Sequence, residues 1–120
     1  MGFLDRIRNK GAPVTPQETD QLVLRQLTSR GADLTKPRHV IHYLYFAEEN
    51  DALAAAATID QAEWDTTVQP PGDTIEEWSL RAEGYRVIGA ATVEAFRAWF
   101  EQIARDPRGE YDGWEASAKP

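Results

Sequence analysis

Arg38-His39-Val40-Ile41-His42-Tyr43-Leu44-Tyr45-Phe46 is the segment of the chain in which apolar residues fill both alternating sets. Val40, Leu44 and Phe46 share one side with His42, while Ile41, Tyr43 and Tyr45 share the other with His39. β-branched and aromatic residues at this density favour an extended strand. A strand that is apolar on both faces has to be covered on both, so it belongs in the interior of a sheet.

The flanking segments supply the rest of the order. Upstream, Thr15-Pro16-Gln17-Glu18 combines an N-capping hydroxyl, proline at the first helical position and an acid three residues after the cap. Leu22, Val23 and Leu27 then form a narrow apolar stripe, and Gly31 ends a helix expected over 16–30. Downstream, Glu48, Glu49 and Asp51 open an alanine-rich helix that carries Leu53, Ala56 and Ile59. Acids in a first turn complement the helix dipole, and small residues let such a helix lie close to a sheet. Trp64, Thr66 and Val68 alternate with Asp65, Thr67 and Gln69 on a second strand, which Pro70-Pro71-Gly72-Asp73 turns back. A third strand over about 76–82 sets Trp78, Leu80 and Ala82 against Glu77, Ser79 and Arg81. From Thr92 onward, Val93, Phe96, Phe100 and Ile103 recur at helical spacing with Trp99 beside them, until Asp106-Pro107 and Gly109 stop the pattern.

The last segment is Glu110-Tyr111-Asp112-Gly113-Trp114-Glu115-Ala116. Strict alternation puts Tyr111, Gly113 and Glu115 on one side of a final strand and Asp112 and Trp114 on the other. Gly113 inside it marks a bulge or a close approach. The whole order predicts an α+β fold, a ferredoxin-like βαββαβ sandwich preceded by an N-terminal helix. The first and third strands are then central. The N-terminal helix is expected to cover the sheet face that the other two leave bare. The first and last strands are read as non-adjacent, which keeps His42 away from Asp112 and Glu115. Residues 1–14 read as a flexible arm, and 15–117 as one domain.

Composition narrows the function. The chain of 120 residues carries 20 acidic and 13 basic side chains, a net charge of -7. That balance argues against direct nucleic-acid binding, which draws its affinity from Lys and Arg. It favours a basic protein partner instead. With no cysteine there is no thiolate chemistry, disulfide or Cys-based zinc site, in keeping with a reducing cytoplasm. No run is long and apolar enough for a membrane span, and Arg6 occupies the position where a myristoylation motif needs Ser or Thr.

The N-terminal helix, the strand carrying His42, the acid-opened helix, the hairpin and the terminal Tyr111-Asp112-Gly113-Trp114 together resemble the family of regulator of ribonuclease E activity B, the ribonuclease E inhibitors, over about residues 17–117. The resemblance implies a non-enzymatic, cytoplasmic protein that binds ribonuclease E or a related endonuclease and modulates RNA decay. An acidic surface is the expected means, and Glu76, Glu77, Tyr111, Asp112, Trp114 and Glu115 are its candidate residues.

No catalytic constellation, cofactor motif or metal set stands out. His39 and His42 point to opposite faces of their strand, which is poor geometry for a shared metal. Glu48, Glu49 and Asp51 are accounted for by the helix start. The topology is shared with RNA-recognition modules that stack bases on sheet aromatics, a role open to Tyr43 and Tyr45 but opposed by Glu77 and Glu83 nearby. The alternative function is a ligand-binding or catalytic domain with a pocket on the sheet face. Its lining would come from His39, His42, Tyr43 and Tyr45.

Overall fold

The computed structural model describes residues 6–9 and 16–118. In chain order the elements are β1 (Arg6–Asn9), α1 (Pro16–Ser29), β2 (Arg38–Phe46), α2 (Glu49–Gln61), β3 (Asp65–Gln69), β4 (Trp78–Arg86), α3 (Ala90–Arg105) and β5 (Glu110–Ser117). All strands join one sheet in the order β1-β5-β2-β4-β3, and every neighbouring pair is antiparallel. The α+β class holds, and β2 and β4 are interior as the sequence requires. The four-strand ferredoxin-like order is not reproduced as it stands, because β1 adds a fifth strand beside β5. Within the arm expected at 1–14, Arg6–Asn9 are therefore strand; the rest of that arm, and the Thr15 cap, lie outside the described residues.

One adjacency differs from expectation. β5 is hydrogen-bonded to β2, with His42 opposite Trp114. β4 and β5 both run antiparallel to β2, so the β4-α3-β5 crossover carries the chain past β2 to its free edge. The third strand, expected over about 76–82, extends to Arg86 and takes in Gly84. Conversely Glu76 and Glu77 precede that strand, in the connection from β3.

The C-terminal strand also breaks its own alternation. Gly113 faces Tyr43 and Tyr111 faces Leu44, so Asp112 is an extra residue and Gly113 takes φ +112°. This bulge changes the parity of the strand. Tyr111 consequently shares the helix side of the sheet with Trp114, although counting by two puts them on opposite sides.

Helix boundaries follow their end signals. Past α1, Gly31 donates to Thr28 O and Ala32 to Leu27 O, the paired bonds of a Schellman stop. Past α3 the same pattern recurs one residue earlier than the glycine suggests: Arg108 donates to Arg105 O with φ +59°, and Gly109 donates to Ala104 O. Gly109 serves packing, since a Cβ there would lie 2.6 Å from Phe46 Cδ1 and from the Tyr45 carbonyl.

The core lies between the sheet and the three helices. Val40, Leu44 and Phe46 of β2, Leu80 and Ala82 of β4, and Trp114 and Ala116 of β5 meet Leu27 of α1, Ile59 of α2 and Val93 and Phe100 of α3. The position expected for the first helix is corrected here. α1 packs beside α3 on the side already carrying helices, and does not cover the tyrosine face.

Candidate partner-binding surface

Asp20 explains the position of α1. Its carboxylate accepts from Arg97 Nε at 2.7 Å and from the far guanidinium nitrogen at 2.9 Å, and Trp114 Nε1 donates to it at 2.9 Å. Arg97 also reaches Glu101 at 3.2 Å. Burial works against the charge on Arg97, but the bonds and charge of Asp20 outweigh it and hold the guanidinium protonated. Both side chains are under one tenth exposed, so the pair fixes α1 to α3 and β5 in a place where neither charge is tolerable alone.

His42 sits beside this pair, among Trp64, Phe96, Phe100 and Tyr111. Its ring stacks on Phe100 at 4.1 Å, and Nδ1 shares a 2.7 Å hydrogen bond with the Tyr111 hydroxyl. Nε2 has no hydrogen-bond partner among the described residues. Burial, then the nearby Arg97 and Arg86, push the imidazole down to about 3, so it is neutral at physiological pH. Burial likewise pushes the Tyr111 phenol well above its usual range. Of the candidate surface residues, Trp114 is 1% exposed and lies in the core, while Tyr111 is half-buried, with its hydroxyl on His42 and its ring stacked on Phe100.

The opposite sheet face, without a helix among the described residues, carries His39, Ile41, Tyr43 and Tyr45 from β2. The pocket expected from His39, His42, Tyr43 and Tyr45 cannot form from all four, because His42 is on the other side of the sheet and α1 does not roof the remaining three. His39 Nε2 pairs with Glu83 at 2.9 Å, and Arg81 Nε reaches the same carboxylate at 3.0 Å. The Tyr43 hydroxyl donates to Glu115. Glu115 and Glu83 flank Ile41 in one register row, which helps explain why Ile41 is only 2% exposed on a face without a described helix. Tyr43 is thus tied to a carboxylate, which disfavours the stacking of nucleic-acid bases on it.

The remaining carboxylates gather at one end of the sheet. Phe46 is opposite Trp78, Tyr45 opposite Glu110, and Gln69 opposite Ser79, so the ends of β2 and β3 and the starts of β4 and β5 lie together. The connections and element starts there expose Glu48 and Glu49, Asp73, Glu76 and Glu77, and Glu110. None of these six has an ion-pair partner among the described residues. Glu76 and Glu77 thus belong to a larger acidic end than the sequence indicates. Asp112 and Glu115 do not belong to it: they lie further along β5, and Glu115 is held by Tyr43. Spacing along the chain gave no hint of this gathering, because the six acids come from three separate connections. The Asp20–Arg97 pair left a signal that apolar counting passes over, an acid set on the apolar stripe of α1 and a base on that of α3.

Among the described residues no group of three or more His, Asp or Glu side chains is arranged to hold a metal ion, and no helix is long and apolar enough to cross a membrane.

Fold and surface together define a small α+β protein with an aromatic core and a set of exposed carboxylates at one end of its sheet. Its sequence matches the profile of the family described as regulator of ribonuclease activity B over residues 17–116, and the chain belongs to that family, a family of ribonuclease regulators. A comparison with curated proteins finds no match.

Proposed function

We propose that this protein regulates a ribonuclease by binding it, without chemistry of its own, and that the nuclease is ribonuclease E or a related cytoplasmic endonuclease. A ribonuclease must hold a polyanion and does so with Lys and Arg. An acidic protein that occupies that cationic surface competes with RNA for it. The observation that carries the reading is the gathering of Glu48, Glu49, Asp73, Glu76, Glu77 and Glu110 at one end of the sheet, without ion-pair partners among the described residues, in a chain of the regulator family.

The test is cleavage of an RNA substrate by purified ribonuclease E with increasing amounts of this protein. Inhibition by the wild type that is relieved in a Glu48→Gln/Glu49→Gln/Glu76→Gln/Glu77→Gln variant supports the reading. Unchanged cleavage, with no complex on gel filtration, overturns it.

A further inference from the structure

α2 packs over β3 and β4 while α3 packs over β5 and β2, and the two helices leave a groove of about 440 Å³ between them. Its lining is apolar along Ala54, Ala55, Ile103 and Pro107. Two carboxylates, Asp51 and Asp106, stand at the end where α2 begins and α3 stops. The other lining residues, Thr58 and Gln102, are uncharged, and among the described residues no cation lines the groove. Arg105 and Arg108 instead line a cleft with Glu101 and Tyr111. Gln102 Nε2 donates to Asp106 at 3.1 Å, which orients that carboxylate at the rim.

From this lining we infer that the groove between α2 and α3 is the seat of a basic amphipathic helix of the ribonuclease, its apolar stripe on Ala54, Ala55 and Ile103 and its Lys or Arg residues against Asp51 and Asp106. Charge complementarity selects the occupant. The rim is wholly anionic, the groove adjoins the acidic end, and a partner that holds RNA supplies cations. Small side chains on α2 allow a third helix to approach closely, as in other helix-in-groove contacts. This inference rests on the proposed regulation of a ribonuclease and assigns the binding site within it.

Two arms test it. In the first, a fluorescein-labelled Arg/Leu amphipathic peptide of about four helical turns is titrated with the full chain, beside a Glu/Leu peptide of the same pattern. In the second, full-length ribonuclease E replaces the peptide. Variants are Ala54→Trp, which fills the groove from an exposed helix position, Asp51→Asn/Asp106→Asn, and Asp65→Asn on β3 as a charge control, each checked for native circular dichroism. Expected is binding of the Arg/Leu peptide alone, weakened about tenfold or more by Ala54→Trp and by the double neutralisation, and left unchanged by Asp65→Asn. Equal binding to wild type and Ala54→Trp overturns the groove in favour of unspecific charge attraction. Peptide binding that is groove-dependent while ribonuclease E fails to bind the wild type keeps the groove and sinks the proposed function. Ribonuclease E binding that ignores both variants keeps the function and sinks the groove.

Discussion

Trp114 donates its indole N–H to Asp20 at 2.9 Å across 94 residues of chain, and the oxygen it reaches also accepts from Arg97 at 2.9 Å. One carboxylate thereby joins the first described helix, the last helix and the last strand. Removing Arg97 leaves Asp20 buried without its counter-charge. Arg97→Met is expected to lower stability by about 3–5 kcal/mol, whereas Trp114→Phe, which loses one donor and keeps most of the ring, should cost about 1–3 kcal/mol. Guanidinium denaturation of both variants measures the difference, and a larger loss for Trp114→Phe would contradict the ranking.

His42 should make stability depend on pH in one direction. Its folded value of about 3 lies below the ordinary imidazole value of 6.5, so the unfolded chain takes up a proton first as pH falls. The associated stability is complete above pH 6.5 and is lost progressively on going down toward 3, with a limiting slope of ~1.4 kcal/mol per pH unit. Denaturation midpoints should fall between neutral pH and pH 4, and His42→Phe should reduce that fall.

The bulge at Asp112 gives a backbone prediction. Gly113 sits at φ +112°, a conformation that side chains with a Cβ rarely adopt. Gly113→Ala is expected to cost about 1–3 kcal/mol from strain. It should also loosen the Tyr111–His42 contact, visible as a change in aromatic circular dichroism. Gly109→Ala meets a different obstacle, the Phe46 ring and the Tyr45 carbonyl, and should destabilise through a clash at the start of β5.

The proposed binding to ribonuclease E should respond to salt. Exposed charges are screened over ~8 Å at physiological ionic strength and over ~3 Å near 1 M. Raising the salt should slow association more than it speeds dissociation, since steering acts before contact. Glu76→Gln/Glu77→Gln should reduce that salt dependence, and Asp112→Asn should leave it nearly unchanged. Surface plasmon resonance at several salt concentrations separates the two rates. A salt-independent on-rate would remove the charge-driven account.

Local sequence determined the fold class and the described elements other than β1, whose residues read as part of an arm. The two-sided apolar strand at 38–46, the Schellman glycine at 31 and the helical spacing of Val93, Phe96 and Phe100 each follow from chain-local periodicity or backbone freedom, and each lands where that physics puts it. The glycine at 113 marked a bulge or a close approach, and a bulge is what forms there. What the bulge does to Tyr111 needed the register with β2, because a parity change is visible only against a partner strand. The side on which α1 docks was likewise decided in three dimensions. Its apolar stripe suits either face of the sheet, and the buried pairing of Asp20 with Arg97 and Trp114 selects one. The acidic end has the same origin. Charges from separate connections become one surface only when the strand order brings those connections together, and Coulomb energy depends on distance in space, not along the chain.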